Sequence, residues 1–213
     1  MLALPVTPAR AQNDRSWVAS NGSDGNPCTR ACPCATFKHT LSQTNAGGEI
    51  NCVDQGDFSG GAQLLIDRAI TIDCEGVQGR FGYAGTSATA IFVGGATVML
   101  RGLDIDGSGV AAQAIEFNSG GVLHIEKCVF RNFVTAGSGW GIVDDASLST
   151  PSELFVSDTA FENNGTASSG RGILIAPGSA NSVTRVTLNQ VEGRRRVNRV
   201  PRPSGDDKSA GTF

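Results

Sequence analysis

Four stretches of the chain repeat one pattern of apolar and polar positions. They are Val98-Met-Leu-Arg-Gly-Leu-Asp-Ile-Asp-Gly107, Leu123-His-Ile-Glu-Lys-Cys-Val-Phe-Arg-Asn-Phe133, Leu154-Phe-Val-Ser-Asp-Thr-Ala-Phe-Glu-Asn-Asn-Gly165 and Arg185-Val-Thr-Leu-Asn-Gln-Val-Glu-Gly193. Each alternates apolar with polar residues, bends at a tight polar step, alternates again and stops at Asn or Gly. Alternation with period two marks a half-buried strand. A further short strand precedes each copy, at Ala90-Ile-Phe-Val93, Ala114-Ile-Glu-Phe117, Gly141-Ile-Val-Asp144 and Gly172-Ile-Leu-Ile175. Its isoleucine recurs at Ile91, Ile115, Ile142 and Ile173, spaced by 24, 27 and 31 residues. Units this short cannot bury their own apolar face and must stack on one another. Strands that return in one direction form parallel ladders with right-handed connections. The pattern therefore predicts an all-β fold, a single-stranded right-handed parallel β-helix over residues 46–192.

The repeat also predicts register. Ile72, Leu100, Ile125, Val156 and Leu188 align as inward positions, and Asp73, Arg101, Glu126, Ser157 and Asn189 as the outward positions beside them. Neighbouring strands lie about 4.8 Å apart, so these outward residues make a charge ladder. Gly107, Asn132 and Asn163 align at a bend, where Asn and Gly tolerate a left-handed backbone. Cys128 takes the inward position held by Leu103 and Thr159, which predicts a buried free thiol. A leucine-rich repeat is the competing architecture, through Leu100-x-x-Leu103-x-Ile105, but its helical return segments are replaced here by Gly/Ser loops. Residues 12–45 read as a polar loop followed by one short helix over 36–44, with Phe37 and Leu41 a turn apart.

Composition changes the picture in three ways. Residues 1–192 carry 11 Lys and Arg against 18 Asp and Glu, and residues 193–213 carry 6 against 2. The body thus offers nucleic acid no basic face, while 193–213 reads as a basic, disordered tail or a frame-changed end. No apolar run is long enough for a membrane span. Residues 1–11, ending in Ala9-Arg-Ala11, read as the remnant of an export signal. The six cysteines fit the same secreted or periplasmic setting. Cys52 and Cys74 stand 22 residues apart in matching strand contexts, close to one early coil, and are expected to bond. Cys28 pairs with Cys34, with Cys32 as competitor. A zinc site from these three clustered cysteines lacks a fourth ligand at the usual spacing.

The N-terminal third resembles a known group. Asn21-Gly-Ser-Asp-Gly-Asn-Pro27, then Thr36-Phe-Lys-His-Thr-Leu41, then Gly47-Gly-Glu-Ile-Asn-Cys-Val53 with Gly56-Asp-Phe58, is similar to the opening of secreted right-handed parallel β-helix proteins of the pectate-lyase-like superfamily. The resemblance covers about residues 16–192. It implies that the short helix caps the solenoid, and it leaves activity open, because that superfamily includes lyases, hydrolases and proteins without assigned chemistry. Its polysaccharide enzymes work on an outer sheet, with carboxylates that bind calcium or act as acid and base. No cofactor is expected for this chain, with calcium as the alternative that the resemblance leaves open.

Two sets of residues could carry such chemistry. Asp144-Asp145 follows the loop Thr135–Gly141, whose Trp140 is placed to stack on a sugar ring. Two adjacent carboxylates can share one proton for acid–base work. The pair resembles the Asp-Asp of polygalacturonase-type hydrolases, but the Gly-His-Gly and Arg-Ile-Lys elements of that family are missing. Asp144 also aligns with the inward Val93, Phe117 and Ile175, an expensive place for an unpaired carboxylate. The second set is Arg101, Asp104, Asp106, Glu126 and Arg131, with Arg101 and Glu126 as substrate-binding candidates. The expected function is an extracytoplasmic solenoid, structural or binding a glycan or another protein, without complete catalytic machinery. The alternative is a lyase or hydrolase acting on an acidic polysaccharide. The apolar positions of the last coil have nothing after residue 192 to cover them, which predicts a homodimer or homotrimer.

Overall fold

The computed structural model describes residues 12–118, 120–135, 138–145, 151–166, 170, 172–176 and 183–194. The remnant expected at 1–11 and the tail beyond Arg194 lie outside them. The chain begins with β1 (Asn13–Val18), α1 (Phe37–Gln43) and β2 (Thr44–Cys52). The coils then follow: β3 (Leu64–Ile66), β4 (Ile70–Asp73) and β5 (Gly79–Gly82); β6 (Thr89–Val93), β7 (Thr97–Arg101) and β8 (Leu103–Asp106); β9 (Gln113–Phe117), β10 (Val122–Glu126) and β11 (Val129–Arg131). The last elements are β12 (Trp140–Asp144), β13 (Ser152–Glu162), β14 (Ile173–Ile175) and β15 (Thr184–Arg194).

All pairings among these strands are parallel, and they form a β-solenoid of about six turns with three walls. Wall one stacks β1, β2, β4, β7, β10 and the first halves of β13 and β15. Wall two stacks β5, β8, β11 and the second halves of β13 and β15. Wall three stacks β3, β6, β9, β12 and β14. The register is the one the repeat implies: Ile72 faces Leu100, Leu100 faces Ile125, Ile125 faces Val156 and Val156 faces Leu188. Wall three lines up Ile91, Ile115, Ile142 and Ile173.

Walls one and two meet at a corner made by Gly102, Lys127, Asp158 and Gln190, all with positive φ. In β13 and β15 the strand runs through this corner unbroken, where two separate strands were expected. At Gly102 the left-handed backbone (φ 65°) coincides with a close approach, since a Cβ there would sit 2.6 Å from the Glu75 nitrogen. At the next corner Asn132 and Asn163 are left-handed as expected. Their amides stack, Asn163 donating to Asn132 at 2.9 Å and Asn132 to Asp106 at 3.0 Å. Gly107, aligned with them, does not use that freedom; the left-handed step falls one residue later, at Ser108.

The interior is columns of like residues. Phe81, Ile105, Phe130 and Phe161 fill wall two, with the rings of Phe130 and Phe161 stacked 5.0 Å apart. At the N-terminal end α1 closes the stack. Thr36 caps the helix by accepting from His39 N–H, and Asp24 accepts from the Ala35 and Thr36 N–H groups and from the Thr36 hydroxyl. The Asn-Gly-Ser-Asp motif is therefore a brace for the cap. Phe37 enters the core edge-on to Phe58 at 5.3 Å and above Phe81 at 6.5 Å. β1, in a segment expected to be loop, adds one more rung before β2, burying Ser16 and Val18.

At the other end β15 pairs only with β13 among the described residues. Val183, Val186 and Leu188 are exposed there, and a cavity of about 530 Å³ opens between Phe161, Asn164, Ile173, Leu188, Val191 and Arg194.

Candidate functional site

The outer face of wall one carries the expected charge ladder. Arg101 lies between the acids of the coils on either side: its guanidinium meets Glu126 at 2.7 Å and Asp73 at 3.4 Å, with Glu75 at 3.8 Å. Lys127 pairs with Glu75 as well. Arg101 and Glu126, singled out as substrate-binding residues, thus hold each other across two coils. On wall two, Arg131 grips Asp104 through two nitrogens, at 2.6 and 2.7 Å, and reaches Asp106 at 2.9 Å, which Arg80 meets from the other side at 2.9 Å. Burial works against the Asp106 carboxylate. Hydrogen bonds from Asn132 and Ser108 and the two guanidiniums outweigh it, holding the carboxyl below its ordinary value. These acids are all occupied by protein cations.

Between the ion pairs of wall one runs a less polar column, Thr71, Met99, His124, Phe155 and Thr187. His124 stacks on Phe155 with ring centres 4.7 Å apart, and both are half-buried. Charged pairs border the column: Arg101–Glu126 on one side and Arg185–Glu153, at 3.0 Å, on the other.

Wall three holds the Asp144-Asp145 pair. Asp144 stands in the inward column with Phe117 and Ile175, fully buried. The Thr184 hydroxyl donates to its Oδ2 at 2.6 Å. Its carboxylate therefore faces the core and is closed to a polymer outside; of the two acids, Asp145 is the one with exposed surface. Burial raises the Asp145 carboxyl above its ordinary value, and the carboxylates of Glu116 and Asp144 raise it further. Its Oδ1 is buried without a hydrogen-bond partner among the described residues.

Glu116 is the residue that sequence reasoning passed over. It accepts from the Thr89 hydroxyl at 2.7 Å, the Gln113 amide at 2.9 Å and the Asn118 amide at 3.3 Å. The signal was present in the repeat: the outward column Leu65, Phe92, Glu116, Val143 and Leu174 has one acid among apolar residues. Trp140 is not a loop residue. It opens β12 opposite Gln113 and is half-buried, on the same wall as Asp144 and away from Arg101 and Glu126.

The cysteines take the places that spacing suggested. Cys28 is bonded to Cys34, and Cys52 to Cys74, joining β2 to the turn after β4. Cys32 is free and exposed, and Cys128 is free and buried, its thiol pushed up to about 12 by desolvation. A thiol held so far from ionisation is inert packing.

No protein-family model and no curated protein matches this sequence, so the fold and the geometry above are the grounds on which its function is read.

Proposed function

We infer that this chain is a binding solenoid that works outside the cytoplasm and lays the outer face of wall one along a glycan or an extended protein segment. The carrying observation is the Met99–His124–Phe155 column. It is a half-buried, partly aromatic strip running along the solenoid axis, bordered by the Arg101–Glu126 pair on one side and the Arg185–Glu153 pair on the other. Repeating rungs about 4.8 Å apart suit an extended polymer. Aromatic and imidazole edges suit both sugar and peptide, and the flanking charges are already paired, so they guide a ligand without demanding a fixed sign. Two disulfides favour an oxidising compartment. The architecture agrees with the resemblance to pectate-lyase-like proteins. Affinity electrophoresis against acidic and neutral polysaccharides tests the reading. The retarded migration expected for the native chain should be lost in His124→Ala/Phe155→Ala and kept in Asp145→Asn.

A second reading, a polysaccharide lyase or hydrolase, draws on one observation: the Asp145 carboxyl is raised above its ordinary value by burial and by the neighbouring Glu116, the direction a general acid needs. Unsaturated products absorbing in the ultraviolet, or new reducing ends, abolished in Asp145→Asn, would establish it. In that reading calcium would be held by carboxylates of the same wall. Self-association belongs to the same proposal, because the exposed Val186 and Leu188 face of β15 is the part of the solenoid with most to gain from a second copy. Light scattering at rising concentration should then show a dimer or trimer.

A further inference from the structure

The loop at the closed end contains a group of donors that the disulfide alone does not explain. Cys28 Sγ, Cys34 Sγ and a ring nitrogen of His39 all lie within 4.8 Å of one another. Both cysteines are fully buried. His39 Nε2 is buried as well and has no hydrogen-bond partner among the described residues. A buried polar atom left without a partner costs free energy, and native structures seldom keep one without cause. The backbone fixes the arrangement from two sides. His39 N–H is held by the Thr36 cap. Cys34 N–H donates to Trp17 C=O at 2.9 Å, while Cys28 C=O accepts from Trp17 N–H at 2.8 Å. Both cysteines are thus anchored to β1 by main-chain bonds that do not depend on the disulfide.

We propose that in its dithiol form this loop is a zinc site, with Cys28, Cys34 and His39 as the protein ligands. Two thiolates and an imidazole are a donor set that zinc prefers, and three protein ligands leave a fourth tetrahedral position open. Zinc carries two positive charges and the two thiolates two negative ones, so the buried site is neutral when filled. The His39 ring, whose buried Nε2 has no hydrogen-bond partner among the described residues in the disulfide form, supplies the third ligand. Cys32 lies outside the cluster, and Cys128 is held too firmly in its thiol form to compete.

The two forms interconvert by ordinary exchange chemistry. A small dithiol reductant gives two electrons to the Cys28–Cys34 bond and leaves as its own disulfide, with its two protons on the new thiols. Zinc then binds as both thiols release those protons. In the reverse direction an external disulfide takes two electrons from the thiolates, the Sγ–Sγ bond forms and zinc is expelled. The loop would hold metal in a reducing compartment and a disulfide in an oxidising one, keeping the cap closed in both.

The test uses the full chain, oxidised or fully reduced under anaerobic conditions with a phosphine that does not ligate the metal, and titrated with zinc(II) and with cobalt(II) as chromophore. The reduced chain should retain its far-ultraviolet strand signal, bind one metal with the visible bands of tetrahedral cobalt, and release it on reoxidation. His39→Gln should weaken binding by about tenfold or more, and Cys28→Ser/Cys34→Ser should abolish it. Loss of the strand signal on reduction, no metal bound by the reduced chain, or binding by His39→Gln or the double serine variant at the native affinity would overturn the proposal.

Discussion

Among the described residues, the first and last rungs of this solenoid are built from the same repeat and are covered to different degrees. At the N-terminal end, Phe37, Phe58 and Phe81 close the interior beneath α1, β1 adds an outer rung, and two disulfides tie the cap and the first coils. At the C-terminal end, β15 continues the register without fault, yet Leu188 is 54% exposed while its column partners Leu100 and Ile125 are fully buried. Register and burial are therefore separate properties. The alternation of side chains fixes which face a residue takes, but only a covered coil turns that face into a core.

The largest effects should come from substitutions that set the ends against each other. Phe37→Ala removes the plug of the closed end and should cost about 3–5 kcal/mol in urea unfolding. Leu100→Ala should cost about 2–5 kcal/mol, whereas Leu188→Ala, in the same column, should stay within about 0.5 kcal/mol. Equal costs at the two leucines would break the comparison. Next in size is the staple between β2 and the turn after β4. The double variant Cys52→Ala/Cys74→Ala should lose about 2–4 kcal/mol, read from the shift in urea midpoint under non-reducing conditions.

Smaller effects sharpen the comparison through pH. Asp106 has a lowered carboxyl, so its contribution is present above the unfolded-state value and fades as pH falls through the folded-state value. Asp106→Asn should therefore destabilise at neutral pH, with the difference narrowing in acid. Asp145, near the open end, has a raised carboxyl, so its ionisation works against folding above the unfolded-state value. Asp145→Asn should raise the melting temperature at pH 7 and leave it unchanged near pH 3. Smallest of all is Arg185→Ala, which removes an exposed pair with Glu153 and should change stability by less than about 0.5 kcal/mol.

Much of the solenoid was legible because its signals are local and repeated. The alternation around Leu100, Ile125 and Val156 gave the register of wall one, and Ile91, Ile115 and Ile142 gave wall three. β1 was hidden for a physical reason: in Asn-Asp-Arg-Ser-Trp-Val the one apolar residue facing inward is Val18, and Ser16 is buried by its bond with Thr44. The strand exists because β2 offers it an edge, which no pattern within the segment records. Among site residues, the inward direction of Asp144 could be read from its column, but its support from Thr184, forty residues later, could not. Glu116 was overlooked because one outward acid in a largely buried strand looks ordinary until Thr89, Gln113 and Asn118 are seen around it. The approach of His39 to Cys28 and Cys34 had no signal in the sequence, because no spacing rule links a helix residue to the cysteine loop; the fold brings them together.

Native-state hydrogen exchange read along wall one tests the asymmetry of the ends most directly. Amides of β2, β4, β7 and β10 should exchange only through global or near-global opening, with protection falling at β13 and lowest in β15. Protection in β15 equal to that in β7 would contradict this account, because it would require the last rung to be covered as fully as the first.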